Sequence, residues 1–537
     1  MLSLTQKRWI VPETKVPIHS SHILARLLAE RGINPNEHPE IISPSVFDDI
    51  EKATTRIQKA IEQHEKIGIF GDYDCDGVTA VAQLVRYFRR KGVTPFVRLP
   101  HRVKDGYGLH SGIVQEYIKK NISLLITADT GVTSVKEIDV LSAHGIDVIV
   151  TDHHNVLDGF PHAYAIIHPA RSNHPLPHPS GSGVAFSLVY ALEDGEWDDM
   201  YSDLALAMMG TVADLVELKG ANRALTELGL VALERISSGP LATLRDRCRQ
   251  KDLPFHSQDI AFRIAPRINA AGRMGAADIA LRAVLDGGDD LDTINTLNEE
   301  RKVITKDLLD SVVDTFTDTE TPAMLMSISE EYPHGIVGLI AGRLTEHFGR
   351  PSLVAHSDGE TCVASLRSPP CYNIAEGLSR CSEHLLRFGG HAQAAGCTFL
   401  FSNADALSQA LLQDVLTHTS PELLHPTLTA DAEISACDIT VEFCEKLTML
   451  EPYGQGNTEP SFLIRDIRLQ NLRACGKENT HLQCRISGIQ AIGFNMAELA
   501  SEIEKYDILA KVNINEWNGN KTAQLKIVDM RLTVNSE

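Results

Sequence analysis

The sequence lacks any uninterrupted apolar run of the roughly 18 residues that a membrane-spanning helix needs. Its first residues, MLSLTQKRWIVPETK, do not show the charged segment followed by an apolar segment that marks a secretion signal. Its ten cysteines include no CxxC pair, and Cys75 lies among aspartates, where a disulfide is unfavourable. We therefore expect a soluble cytoplasmic protein with reduced thiols and no membrane contact.

Basic residues are scarce, with 50 Lys and Arg against 71 Asp and Glu and a net charge of −21. This balance excludes a surface covered in basic patches. It does not exclude an enzyme of nucleic acids, which needs positive charge only along the groove that meets phosphates. One basic stretch, RYFRRKGVTPFVRLPHRVK at 86–104, is either such a groove segment or a solvated helix end and loop.

Internal repeats and low-complexity tracts are also missing, and 537 residues suggest about three or four domains. From about 67 to 170, apolar strands alternate with amphipathic helices, which predicts a parallel sheet covered on both faces and an α/β fold. The first helix candidate of this pattern, VTAVAQLVRYF, places Val81, Leu84, Val85 and Phe88 on one face. A second α/β pattern begins near 320, and strand-like alternation beyond 425 predicts a small β-barrel or sandwich.

Polar clusters follow successive strands of the first pattern. GDYDCDG follows IGIF, ADTG follows SLLIT, and DHH follows DVIVT. In parallel sheets ligands bind beyond the carboxyl ends of the strands, so these clusters should converge on one site. The residues concerned are Asp72, Asp74, Asp76, Asp129, Asp152, His153 and His154. The helical segment SDLALAMMGTVADL adds Asp214 near its end.

Carboxylates this crowded do not all stay ionised without a cation between them. Oxygen ligands with an imidazole suit Mn²⁺ or Mg²⁺, whereas zinc favours more His or Cys. A shared carboxylate would hold two ions roughly 3.5–4 Å apart, the arrangement of two-metal phosphoester hydrolysis. The alternative for any single acid is a capping or turn residue between strand and helix. The occurrence of acidic clusters at several successive strand ends favours the metal site.

The motifs GDYDCDG, ADTG, TDHH and GTVADLVEL resemble the four motifs of the DHH phosphoesterase family. APRINAAGRM, GIVGLIAGRL, SLRS, FGGHAQAAG and LEPYGQGNTEPSF follow in the order used by its bacterial RecJ exonucleases. The resemblance extends from about residue 8 over nearly the whole chain. It implies an N-terminal segment (1–55), a parallel-sheet DHH catalytic domain (56–225) and a helical region with a long connector helix (226–318). A second α/β domain, the DHH-associated domain (319–420), and an OB-like β-barrel (425–537) complete the expected organisation.

The same resemblance implies an activity, which is 5′→3′ degradation of single-stranded DNA to 5′-mononucleotides in DNA repair and recombination. The expected enzyme is a two-metal phosphodiester hydrolase that uses two Mn²⁺ or Mg²⁺ ions. Its expected partner is single-stranded DNA with a 5′ end, together with a single-strand-binding protein and a helicase, and the expected state is a monomer.

Carried onto this sequence, the resemblance assigns metal ligands and substrate contacts. The implied metal ligands are Asp74, Asp76, Asp129, His153 and Asp214, with Asp129 best placed to bridge. Asp72 and Asp152 would ligate or support ligands, and His154 would face the scissile phosphate. Ser365 and Arg367, with Arg273 and Arg102, would bind the terminal 5′ phosphate, and His391 of the GGH motif would line the same cleft.

One position departs from the family. His168 stands where RecJ-like chains usually have Asn before Pro, and it is either an outer contact of the metal site or a harmless substitution, of which we favour the second. Two other functions stay open. A family phosphodiesterase for short oligonucleotides or cyclic dinucleotides generally lacks the N-terminal segment, long connector and β-barrel expected here. A catalytically inactive replication scaffold would have lost metal ligands that this sequence retains.

Overall fold

The computed structural model describes residues 2–11, 20–102, 105–106, 108–156, 159–195, 197–250, 254–317, 321–517 and 519–533. In chain order its strands are β1 Arg8–Ile10, β2 Ile67–Gly71, β3 Phe96–Arg98, β4 Leu124–Ala128, β5 Asp147–Thr151, β6 Ala165–Ile167, β7 Leu325–Ser329, β8 Ser352–Ser357, β9 Thr361–Arg367, β10 Arg387–His391, β11 Ala394–Leu400, β12 Thr427–Thr429, β13 Ala432–Glu433, β14 Phe462–Arg468, β15 Gln470–Cys475, β16 His481–Ile486, β17 Ile489–Gly493, β18 Lys505–Trp517 and β19 Asn520–Leu532.

The helices, again in chain order, are α1 Ser20–Glu30, α2 Ile50–Glu62, α3 Cys75–Arg90, α4 Ser111–Lys119, α5 Val135–Ala143, α6 Gly181–Glu193, α7 Met200–Ala213, α8 Gly220–Arg235, α9 Pro240–Cys248, α10 Ser257–Asp259, α11 Ala265–Arg273, α12 Ala277–Leu285, α13 Asp289–Thr317, α14 Val337–Phe348, α15 Ile374–Arg380, α16 Ala404–His418 and α17 Val441–Leu447. A π-helical turn, Ile260–Ile264, joins α10 to α11. Within the described residues, none of these helices combines the length and the apolar composition needed to cross a bilayer.

The chain forms two compact units, one of residues 37–304 with 452–458, the other of residues 1–36, 305–451 and 459–537. The first unit, which we call the catalytic unit, contains a five-stranded sheet in the order β3-β2-β4-β5-β6, with every neighbouring pair parallel. The predicted parallel sheet is thus confirmed. Consecutive β–α–β crossovers explain why its strands are apolar throughout, since helices cover both faces.

Each face of this sheet has its own core. On one face Ile69 and Ile126 pack with α3 and α6, and on the other Phe70 and Leu125 pack with α4 and α5. The predicted apolar face of α3 is buried, including Leu84 and Phe88.

The second unit, which we call the associated unit, contains two larger sheets. The first has the order β10-β11-β9-β8-β7, in which β7 and β8 are parallel and the other pairs antiparallel, and α15 and α16 contribute to its core. The other has the order β13-β14-β18-β19-β17-β16-β15, with β18 and β19 as a long antiparallel pair. Its outer strands are β13 and β15, and this seven-stranded sheet is the predicted OB-like region.

The start of the chain belongs to the associated unit. Strand β1 pairs in parallel with β12, and the indole Nε1 of Trp9 donates to Asp529 Oδ2 at 2.7 Å. Thr5 donates to the other oxygen of the same buried carboxylate. These bonds fasten the first residues to β19.

Candidate metal centre

Strand register brings the predicted site residues to one level of one sheet edge. Gly71 pairs with Ala128, which pairs with Thr151, which pairs with Ile167. These four residues end their strands, so Asp72, Asp129, Asp152 and His168 each emerge at the carboxyl edge. The convergence predicted from the order of strands and polar clusters follows from this alignment.

The GDYDCDG loop is a strand end followed directly by a helix start. Strand β2 ends at Gly71 and α3 begins at Cys75, so the aspartates do not alternate along a persisting strand. Asp74 is the N-cap of α3 and its side chain accepts from Gly77 N at 3.1 Å. A Cβ on Gly77 would lie 2.6 Å from the carbonyl oxygen of Asp72, so the turn requires glycine there.

Asp76 is held by the amino terminus of a distant helix. Its Oδ2 accepts from Gly181 N at 2.7 Å and its Oδ1 from Ser182 N at 2.9 Å. These N–H groups open α6, and the positive end of a helix favours a carboxylate. Burial and Asp74 nevertheless raise the pKa of Asp76 to about 6, against the effect of these bonds.

Asp129 has a strained backbone and an unsatisfied side chain. Its φ is +60°, which is uncommon for residues other than glycine and most tolerated by Asn and Asp. It is 2% exposed, and its Oδ1 has no hydrogen-bond partner among the described residues. Burial and the charges of Asp76 and Asp74 raise the pKa of this carboxyl well above its ordinary value.

His153 points its ring into the carboxylates. Nε2 lies 3.2 Å from Asp129 Oδ1, 3.6 Å from Asp214 Oδ2 and 3.8 Å from Asp76 Oδ2. None of these contacts has hydrogen-bond geometry, and within the described residues Nε2 is buried without a partner. Burial and the neighbouring His154 lower the pKa of His153 to about 4, so the ring is neutral and its lone pair available.

Asp152 and His154 form a different kind of pair. Asp152 Oδ2 accepts from Val132 N, and its Oδ1 accepts from the backbone N of His153 and of His154 and faces His154 Nδ1 at 2.7 Å. Burial alone would raise the pKa of Asp152, but the hydrogen bonds and charge of His154 hold it below its ordinary value. Conversely, although burial lowers it, the bond to Asp152 raises the pKa of His154 to about 9. His154 is therefore a cation near neutral pH.

The donor set fits divalent cations. There are three groups of side chains in which the ligand atoms, one from each side chain, all lie within 4.8 Å of one another. Asp129 and His153 each belong to two of these groups. They are Asp72–Asp74–Asp129, Asp76–His153–Asp214 and Asp129–His153–His154. Asp72 Oδ1, Asp129 Oδ1 and His153 Nε2 are buried without hydrogen-bond partners among the described residues, which is costly unless a cation takes that place. Carboxylate oxygens with one imidazole suit Mn²⁺ or Mg²⁺.

Several supporting residues carry no local sequence signal. A Cβ on Gly181 would lie 2.2 Å from Asp129 Oδ1, and one on Gly210 would lie 2.4 Å from Asp76 Oδ1. Asn269 Oδ1, on α11, accepts from Cys75 N at 2.8 Å and so satisfies the first N–H of α3. The APRINAAGRM motif marked this helix, but only the fold shows that Asn269 supports the aspartate loop.

His168 contacts the site from behind. Its buried ring faces the carbonyl oxygen of His154 through Nε2 at 2.9 Å, and its Nδ1 accepts from Ala170 N at 3.1 Å. This contact is consistent with the outer-contact alternative. That the substitution is harmless, the interpretation that we favoured from sequence, stays a prediction.

The basic stretch at 86–104 is mostly neutralised within the catalytic unit. Arg89 pairs with Asp286, Arg90 with Glu193 and Asp203, and Arg98 with Asp105. A solvated, ion-paired helix end therefore describes most of this stretch.

Arg102, near the end of that stretch, lies beside the aspartate loop. Its guanidinium carbon lies 5.2 Å from the centroid of the Tyr73 ring. Burial, Arg102 and Arg301 lower the pKa of Arg273 to about 10. The catalytic unit thus places a group of arginines next to the loop.

The remaining predicted residues lie in the associated unit. Ser365 and Arg367 are half-buried on β9 rather than in a surface loop, and Arg367 Nη1 donates to Ser365 Oγ at 3.0 Å. A Cβ on Gly338, at the start of α14, would lie 3.0 Å from Ser365 Oγ. His391 ends the exposed strand β10.

The model of the DHH family, N-terminal domain, matches residues 66–211, and the RecJ OB domain matches residues 430–529. The chain is 32% identical to the single-stranded-DNA-specific exonuclease RecJ of Bacillus subtilis, over 95% of this chain and 68% of that protein. The chain belongs to the RecJ family. The resemblance seen in its motifs is confirmed.

Crystal structures of a RecJ relative share the fold. The Mn²⁺ complex of RecJ from Thermus thermophilus has a TM-score of 0.83 at 26% identity, covering 99% of this chain and 80% of that one. Its Mg²⁺ complex has a TM-score of 0.77 at 26% identity, covering 98% and 78%. The RecJ fold, with its DHH and OB parts, is therefore the fold of this chain, and the two metals predicted from its ligand set are the two found in that relative.

Proposed function

We propose that this RecJ-family chain is a metal-dependent exonuclease that degrades single-stranded DNA from its 5′ end to 5′-mononucleotides, in DNA repair and recombination. The observation that carries the proposal is the set of buried ligand atoms on Asp72, Asp129 and His153, at one sheet edge, for which the described part of the chain provides no hydrogen-bond partner. Their chemistry suits two Mn²⁺ or Mg²⁺ ions, and phosphodiester hydrolysis is a reaction that paired hard cations support.

Two neighbouring sets of ligands would hold the ions. Asp76, His153 and Asp214 form one set, and Asp72, Asp74 and Asp129 form the other. Asp129 is the best bridge, because it also lies 3.2 Å from His153 Nε2. When bound, two such ions lower the pKa of a coordinated water and neutralise charge on the phosphoryl oxygens.

The protein's own cation complements this arrangement. His154 is kept protonated and oriented by Asp152, with Nδ1 and Oδ1 2.7 Å apart. A fixed positive charge at the rim of the carboxylates stabilises the charge that develops on a scissile phosphate. We therefore assign His154 to the phosphate and Asp152 to the orientation of His154.

Each unit also carries side chains that are candidates for binding a phosphate. In the catalytic unit these are Arg102 and Arg273, and a guanidinium fork matches phosphate oxygens. In the associated unit they are Ser365 and Arg367 of β9, which lie beside the start of helix α14, where backbone N–H groups favour an anion. Exposed His391 is assigned to the same substrate path in that unit. Recognition of a terminal phosphate accounts for 5′ polarity.

The OB sheet supports a single-stranded polymer. Phe494 is exposed, with Lys526 Nζ 5.5 Å and the His481 ring 5.1 Å from its ring centroid. An aromatic platform beside a lysine stacks bases without sequence preference. We further propose that the protein is a cytoplasmic monomer. Its proposed partners are a helicase and a single-strand-binding protein, since these proteins produce and hold single strands.

The test compares oligonucleotides labelled at the 5′ or the 3′ end. With Mn²⁺, wild-type protein should release labelled mononucleotide first from the 5′ label, spare blunt duplex and act poorly on a dinucleotide. Asp129→Asn keeps the shape and tolerates φ +60°. It should abolish cleavage while the melting temperature in EDTA stays at or above that of the wild type, because it removes a repelling carboxylate. Full activity in this variant would overturn the metal assignment, and preference for dinucleotides would favour the short-substrate phosphodiesterase.

A further inference from the structure

His168 is the buried group at the site edge to which neither the motifs nor the proposed reaction gives a role. It directly follows β6 and is 1% exposed. The Phe160 ring lies against it edge-on, with centroids 5.3 Å apart. Its ring can therefore neither rotate freely nor reach solvent.

The hydrogen-bond partners of His168 fix its protonation. A backbone N–H only donates, so Nδ1 must accept from Ala170 N. A carbonyl oxygen only accepts, so Nε2 must carry the proton donated to His154 O, at 2.9 Å. His168 is consequently the neutral Nε2–H tautomer, and both ring nitrogens are occupied.

The His168 ring completes a set of hydrogen bonds that hold the backbone of the two site histidines. Asp152 holds the backbone N–H groups of His153 and His154 on one side, and His168 holds the carbonyl of His154 on the other. The backbone that carries both side chains is thus anchored at the N–H group of each histidine and at the carbonyl group that follows His154. Movement of this backbone segment would swing His153 Nε2 away from the carboxylates and His154 away from Asp152.

We propose that His168 is a positioning residue that holds the backbone of the His153–His154 segment by the hydrogen bond from Nε2 to the His154 carbonyl. The inference deepens the proposed nuclease function and rests on it. Polar neighbours that orient ligands typically change metal affinity or activity by about 10- to 100-fold when removed. Loss of the His168 bond should have an effect in this range.

Substitutions can separate the two bonds of the ring. Gln places its amide nitrogen near the position of Nε2, so His168→Gln keeps a donor for His154 O but offers no acceptor at Nδ1. His168→Leu removes both. His174→Leu is the matched control, because His174 is a buried histidine of the same segment, bonded to the Pro175 carbonyl and packed on the Phe47 ring at 5.4 Å.

We expect His168→Leu to lower kcat, or the calorimetric affinity for Mn²⁺, by about 10-fold or more. His168→Gln should stay within about threefold of the wild type, and His174→Leu should lower only the melting temperature. The proposal is overturned if His168→Leu matches His174→Leu in both kcat and Mn²⁺ affinity. It is equally overturned if His168→Gln is as impaired as His168→Leu, since the Ala170 contact would then carry the effect.

A spectroscopic arm separates this inference from the proposed function. In protein with ¹⁵N-labelled histidine, the resonances that disappear in His168→Gln should show an unprotonated Nδ1 and a protonated Nε2, independently of any cleavage. Absence of nuclease activity in the wild type with this tautomer present would reject the function and keep the contact. The opposite tautomer would reject the positioning role whatever the activity.

Discussion

Replacing Gly181 by alanine tests whether the fold shapes the metal centre by leaving space beside Asp129. An alanine Cβ at this position would lie 2.2 Å from Asp129 Oδ1 and 2.4 Å from Asp129 Cβ. The first distance is 1.2 Å short of the 3.4 Å at which ordinary contact begins. Asp129 has little freedom to retreat, because its backbone N donates to Thr151 O at 2.9 Å and its φ is +60°.

The expected change in stability is small, whereas the change in metal binding is large. Alanine favours a helix over glycine by up to ~1 kcal/mol, and forcing extra atoms into a packed site costs about 1–3 kcal/mol. The metal-stripped protein should therefore lose at most ~2 kcal/mol. A ligand displaced by more than 1 Å should weaken Mn²⁺ by at least ~10-fold, about 1.4 kcal/mol or more.

Gly183→Ala is the matched control on the same helix. Its Cβ would approach Pro179 Cβ at 3.0 Å and Leu225 Cδ2 at 3.7 Å, neither of them a metal ligand. Calorimetric titration of EDTA-stripped protein with Mn²⁺ and melting curves in EDTA measure the two quantities. A folded Gly181→Ala protein that binds Mn²⁺ within twofold of Gly183→Ala would refute the reasoning.

Three further outcomes are expected. Asn269→Leu should lower the free energy of unfolding by about 1–2 kcal/mol, because it leaves the first N–H of α3 unpaired. It should also lower the affinity for Mn²⁺ about tenfold, measured by calorimetry, and an unchanged affinity would contradict a role at the loop. Burial and neighbouring carboxylates raise the pKa of Asp214 to about 8 and of Asp76 to about 6. Both carboxyls bind protons more tightly when folded, and each loses its stabilising contribution as the pH rises through its folded pKa. Between pH 6 and 8 this is mainly Asp214, so melting curves in EDTA should show stability falling over that range, and a rise would contradict its pKa value. Arg367→Lys should reduce the preference for a 5′-phosphorylated over a 5′-hydroxyl oligonucleotide, measured as a ratio of kcat/KM, because lysine lacks the guanidinium fork; an unchanged ratio argues against the phosphate role.

The sequence predicted the sheet edge well because the signals there are local. Each apolar strand is followed directly by its polar cluster, and parallel register then forces Asp72, Asp129 and Asp152 to one level. The paired aspartates of the helix start also carry a local signal, since Asp74 is an N-cap.

The groups that support the site could not be predicted from the sequence because they are distant along the chain from the residues that they contact. Gly181 contacts Asp76 and Asp129, which lie 105 and 52 positions earlier in the chain. From the sequence alone, the segment PSGSG that contains Gly181 is typical of an ordinary loop. The interpretation of the 86–104 stretch, either a groove segment or a solvated helix end, stayed open for the same reason. The acids that pair with Arg90, Glu193 and Asp203, are about a hundred residues distant.

Hydrogen-bond satisfaction divides the carboxylates into two kinds. Asp152 accepts three backbone N–H groups and faces the ring nitrogen of His154, so its charge is already compensated and its pKa is low. Asp72 and Asp129 keep buried oxygens without partners among the described residues, and burial raises the pKa of each well above its ordinary value. Sequence placed Asp72 and Asp152 in the same uncertain category. Their surroundings argue for Asp72 as a ligand and for Asp152 as the residue that orients His154, because a cation gains most where the protein has left an oxygen unsatisfied.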